Sequence, residues 1–273
     1  MGRFVPQGGW FRTLLIAAAA LGLIASAIAG CSSDDSEGGP GPPGPVGPVG
    51  PVGDQTGIPG SGNVTSEPRD IAGFDEILFR SEGAVVITIG DTESLAVEAD
   101  DDLQQFLQAS VSGGVLEIST TDDTDIAPSQ PPVFRIAATK ITGIELAGAG
   151  TIEAASIESD RLEIRLGGVG DVTIDTVAVD DLLINLQGVG TVSLSGVADR
   201  QEGLVAGVSV YEAANLKSQT ATIEGSGTGQ ATIWVTGELD VSASDTASVS
   251  YYGTPAVAQS VSGLAMLIPL GEK

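Results

Sequence analysis

Two kinds of side chain in this sequence could do chemistry: a single thiol and a large stock of carboxylates. The thiol is Cys31, the only cysteine in 273 residues, so no internal disulfide framework or cysteine-rich metal site can form. Asp and Glu number 36 against 11 Lys and Arg, a formal net charge of −25. Paired carboxylates could serve glycoside hydrolysis or hold a hard cation. Histidine is absent, which removes Ser-His-Asp and Cys-His catalysis, His-ligated zinc and the usual neutral-pH proton shuttle. Charge of this sign is repelled by phosphate backbones, so nucleic acid is not an expected partner. No Gly-x-Ser-x-Gly, phosphate loop or His-Glu-x-x-His occurs.

Three acidic segments invite a metal reading, and each has a plainer one. Gly167-Gly168-Val169-Gly170-Asp171 is one position out of step with the calcium-binding nonapeptide, and Thr151 and Thr191 replace the Asp in neighbouring segments. Asp122-Asp123-Thr124-Asp125 lacks EF-hand spacing and reads as a solvated loop. Asp100-Asp101-Asp102 precedes Leu103, Phe106 and Leu107 and reads as the start of one short helix. No metal or cofactor is therefore expected.

The elements that position Cys31 are at the N-terminus. Arg3 and Arg12 form a cationic region, and the apolar run from Leu14 to Ile28 has the length of a secretory core. Ile28-Ala29-Gly30-Cys31 resembles a bacterial lipobox, which implies cleavage after Gly30, acylation of Cys31 and a membrane anchor through its lipid. Ser32 follows where an Asp would retain a lipoprotein at the inner membrane, so the outer membrane or cell surface is expected. Loss of residues 1–30 removes Arg3 and Arg12 and no acid, taking the charge from −25 to −27 over 243 residues. Residues 31–60 follow as a stalk. Glycine recurs every third residue from Gly38 to Gly53 with proline between, the pattern of collagen and of polyproline-II spacers. A monomeric spacer of about 3.1 Å per residue is the simpler expectation, a trimeric stalk the alternative.

Residues 61–270 change character, to Val, Ile and Thr punctuated by glycine. Ile144–Gly150, Ile164–Gly170 and Ile184–Gly190 align at a period of 20. From Leu146 the series continues through Leu166, Leu186, Leu204, Ile223, Val241 and Val261, with Gly or Ala two residues past each. Such a period without helices predicts an all-β fold, a single-stranded parallel β-helix (β-solenoid) of about 18–20 residues per coil. Ile144 and Leu146 alternate with Glu145, so the former face inward and the acids line a wet exterior. Phe79–Val85 echoes the repeat, strands are expected at 84–89, 94–99 and 115–119, and 128–132 is a loop. This irregular region is expected to cap the N-terminal end. Leu264–Leu270, the most apolar stretch of the body, reads as a last coil or C-terminal cap rather than a membrane contact.

Gly73-Phe74-Asp75-Glu76-Ile77, Gly113-Gly114-Val115-Leu116-Glu117-Ile118 and the Gly-x-Gly corners at 148–150, 188–190 and 225–227 resemble the GIN domain. Tyr251-Tyr252-Gly253-Thr254-Pro255 is similar to its closing element, and the resemblance covers about residues 60–268. That family is described as auto-transporter adhesin heads, common on bacterial lipoproteins. The resemblance implies a right-handed parallel β-helix and supplies no catalytic residues. The expected function is a non-catalytic, lipid-anchored envelope or surface module binding an extracellular glycan or protein. A self-assembling structural protein and a carbohydrate-active β-helix enzyme are the alternatives, and the oligomeric state is open.

Overall fold

The computed structural model describes residues 57–122 and 124–273. The leader, Cys31 and the stalk as far as Thr56 lie outside the described residues, as does Asp123. Among the described residues nineteen strands follow one another. The N-terminal group comprises β1 (Ile58–Pro59), β2 (Val64–Arg69), β3 (Glu76–Phe79), β4 (Glu82–Ile89), β5 (Ser94–Asp100), β6 (Leu107–Ser112), β7 (Val115–Thr120), β8 (Ile126–Ala127) and β9 (Val133–Ala138). The solenoid proper runs through β10 (Gly143–Leu146), β11 (Ala149–Ala154), β12 (Ile157–Leu166), β13 (Val169–Leu186), β14 (Val189–Val205) and β15 (Val208–Gly225). It ends in β16 (Gln230–Ala243), β17 (Ser248–Tyr252), β18 (Ala256–Val261) and β19 (Met266–Gly271).

From β10 onward every ladder is parallel, as the repeat requires. Ile144, Ile164 and Ile184 stack, as do Leu146, Leu166 and Leu186, and all are buried. Between them Glu145 and Arg165 face water and pair at 3.6 Å. Full burial of one such aliphatic side chain contributes about 1.5–3 kcal/mol, so columns of them hold the coils in register.

Beyond Leu186 the columns differ from the expected series. Leu186 stacks on Val205, then Gly225, Ala243 and Val261. Leu204 lies instead on Asn185, in an outward column, because a one-residue slip exchanges the two faces of a strand. Ile223 and Val241 are inward but continue the Ile184 column through Gly203. Bulges absorb the unequal coil lengths, which a fixed period cannot anticipate. The corner column is Gly148, Gly168, Gly188, Gly207, Gly227, Asp245 and Gly263. Asp245 holds φ +59, a left-handed conformation that short polar side chains tolerate, and its carboxylate accepts the Gly227 N–H at 3.1 Å.

The N-terminal cap is ordered differently in space than in sequence. β3 and β4 lie under β10 and β11, while β7 and β9, later in the chain, lie beneath β3 and β4. Antiparallel β6 then covers β7, β5 covers β9, and β2 covers β5. Phe79 and Phe134 meet edge to face, ring centroids 5.4 Å apart, at the junction. The helix expected after Asp100 does not form. Only a 3₁₀ turn, Gln104–Phe106, is present, and its N-cap, Leu103, makes no side-chain bond. Asp100 is committed elsewhere, and buried Gln104 spends its amide on the carbonyls of Thr65 and Val97.

Candidate functional site

Chemistry on a solenoid needs a place where regularity breaks. Here the breaks are stacked. The ladder slips between Ile174 and Val177, again between Ser193 and Ser195, and again between Ala213 and Lys217. Successive bulges at one corner kink the strands and turn side chains outward. The groove they leave is lined by Thr173, Asp175, Ser193, Ser195, Glu212 and Asn215. Hydroxyls, an amide and carboxylates of this kind suit a polyhydroxylated ligand, since each can donate to or accept from an alcohol.

Beside the groove runs an outward column of Lys217, Trp234 and Tyr252. The Lys217 ammonium stands 5.7 Å from the Trp234 ring centre. Lys273 lies 5.5 Å from the same ring and 5.1 Å from that of Tyr252. Its Nζ donates to the Ala214 carbonyl and, at 2.6 Å, to Asn215 Oδ1. Both aromatic residues are half-buried. Among the described residues every arginine is ion-paired with a carboxylate, whereas Lys217 and Lys273 have no acid partner and rest on aromatic rings. This face thus carries two lysines as well as the groove's Asp175 and Glu212. Sequence reasoning passed over the group, although Lys217, Trp234 and Tyr252 recur at about one coil length and outward columns could have been read in the same way.

Two of the three segments singled out for metal chemistry have other duties. The carboxylate of Asp171 accepts the Thr191 N–H at 2.8 Å, tying one coil to the next. Asp100 is fully buried and accepts the Gly62 N–H at 2.7 Å, the Ser129 N–H at 2.8 Å and the Ser129 hydroxyl at 2.6 Å. Asp101 accepts from the Ser61 hydroxyl and the Asn63 amide. These bonds, that from the Ser129 hydroxyl foremost for Asp100, hold both carboxyls below the usual carboxylate range. The triplet fastens the N-terminal segment to the cap. Among the described residues no group of three acidic, His or Cys side chains is arranged to hold a metal ion. Inside the solenoid the Tyr211 hydroxyl donates to Gln201 Oε1 at 2.8 Å, and burial pushes the phenol pKa up.

The molecule is thus a parallel β-solenoid closed at its N-terminal end by a mixed sheet, with a bulged, partly aromatic flank. Residues 73–255 match the family described as "Putative auto-transporter adhesin, head GIN domain", and the chain belongs to that family. Solved structures share the fold. A "putative adhesin" from Bacteroides fragilis superposes with TM-score 0.73 at 23% identity, covering 79% of this chain and 100% of its own. A "putative lipid binding protein" from Parabacteroides distasonis gives 0.63 at 21%, covering 78% and 99%. A "putative adhesin" from Parabacteroides merdae gives 0.61 at 17%, covering 78% and 98%. No curated protein matches the chain.

Proposed function

We propose that this protein is a non-catalytic, lipid-anchored adhesin of the outer membrane or cell surface that holds an extracellular glycan on its bulged flank. The observation that carries the reading is the pairing of two carboxylate-free lysines with Trp234 and Tyr252 beside a hydroxyl-rich groove. A sugar ring presents C–H groups to an aromatic face and hydroxyls to its rim, so ring stacking and groove hydrogen bonds act together. The family description supports adhesion, and the lipobox at Cys31 with the stalk behind it supports an anchor that extends the head from the membrane.

Trp10 lies in the leader, so Trp234 is the sole tryptophan after cleavage at Cys31 and reports on the site directly. Titration of the purified protein with a panel of envelope and host polysaccharides is expected to change its fluorescence and to retain it on at least one. Trp234→Ala abolishes retention while the circular dichroism stays that of a β-solenoid. Retention that survives the substitution, or none across the panel, would refute the assignment. Protease shaving of intact cells tests exposure: a head that resists until the outer membrane is opened faces the periplasm.

A further inference from the structure

The two ends of the solenoid are finished differently. At the N-terminal end the outermost parallel strands, β7 and β9, are each paired on their second edge by β6 and β5. Strand β2, outside β5, carries Glu67, Pro68 and Arg69, residues that discourage further pairing. At the C-terminal end β18 pairs only with β16, and β19 only with β17, among the described residues. Val257 and Val261 continue inward columns whose previous members, Leu239 and Ala243, are buried, yet they are 41% and 40% exposed. Met266, Ile268 and Leu270 alternate with core-packed Leu267 and form an apolar rim, with Leu264 at the turn 76% exposed. The last coil leaves its interior open.

Charge changes at the same place. Glu238 and Asp240 project from β16, and the residues stacked on them in β18 are Ala256 and Ala258. From Thr246 through Gly271 no residue is charged, in a chain of net charge −25. Two copies repel each other over most of their surfaces, and this neutral apolar end is where they can touch without burying a carboxylate.

We infer that the C-terminal coil is a homophilic contact, covered by the same coil of a second copy. A two-fold axis through the end face sets β18 against its mate antiparallel, satisfies the free edge and buries Val257 and Val261. Pro269 removes one donor from β19, so β18 carries the backbone pairing. Because the opposite end is closed, the assembly stops at a dimer and does not grow into a filament.

Sedimentation of the purified mature chain in detergent, over a range of protein and salt concentrations, tests this. A monomer–dimer equilibrium at micromolar protein is expected, strengthening with salt as repulsion between the acidic bodies is screened. Val257→Glu, which would bury an unpaired carboxylate, is expected to weaken it about a hundredfold. Gln259→Cys is expected to crosslink the dimer through a disulfide on oxidation, the acylated Cys31 thiol being unable to compete. A strict monomer, open-ended oligomers, a dimer indifferent to Val257→Glu, or a monomer that binds vesicles through this end would each overturn the inference. Glycan retention by an obligate monomer would leave the flank reading standing while removing this one.

Discussion

The carbonyl oxygen of Gly150 stands 1.7 Å from where a Cβ on Gly170 would sit, and Gly170 itself holds φ +142. The same relationship links Gly190 to Gly170 and Gly150 to Gly83. A glycine ladder thus lets consecutive coils close at this corner, each backbone occupying the space a side chain would take.

Gly170→Ala should therefore destabilise the head by about 3 kcal/mol or more, through left-handed strain plus a backbone clash. Gly167→Ala, three residues away, meets nothing within 4 Å and has an ordinary φ. It should shift stability by no more than about 1 kcal/mol in either direction. Urea unfolding of the two variants is the comparison; equal costs would contradict the ladder.

The Tyr211–Gln201 bond offers a second test. Both residues are fully buried, and Gln201 Nε2 has no partner among the described residues. Tyr211→Phe leaves Gln201 Oε1 unsatisfied as well, at about 1–3 kcal/mol. Adding Gln201→Leu should recover most of that loss, because an apolar pair replaces an unsatisfied amide. A double-mutant cycle in denaturant measures the coupling, and strictly additive losses would argue against it.

Acid sensitivity follows from Asp100. Its folded pKa is depressed by the Ser129 hydroxyl and the N–H groups of Ser129 and Gly62, opposed by burial. A carboxylate of this kind contributes stability fully above its unfolded value near 3.8, and the contribution is lost as pH falls through the lower folded value. Asp101 and Glu98 act in the same direction. The stability difference between the native chain and Asp100→Asn should be flat from neutral pH to about 4 and shrink below it. Taking the difference cancels the general relief of repulsion as other acids protonate. A gap that widened in acid would reverse the assignment.

Cys31→Ser should abolish incorporation of labelled fatty acid and prevent the processing of residues 1–30 that depends on acylation. Membrane fractionation then shows whether the head is released or held by its uncleaved leader. Undiminished labelling would place the lipid elsewhere.

How much was legible beforehand depended on repetition. Leu146, Leu166 and Leu186 recur at a constant interval, so the coil and its inward face followed from periodicity, while the family resemblance rested on motifs such as Gly73-Phe74-Asp75-Glu76-Ile77. Where coil length varied the reading slipped, at Leu204 by one residue and at Ile223 by two, because a bulge changes spacing without changing the hydrophobic pattern. What only the tertiary structure decided was non-local: that β7 and β9 pass beneath β3 and β4, that Asp100 fastens the cap through Ser129, and that Lys217, Trp234, Tyr252 and Lys273 share one face. Those relationships join residues from different coils or from opposite sides of a crossover. Their energies depend on stacking register, which sequence order does not contain.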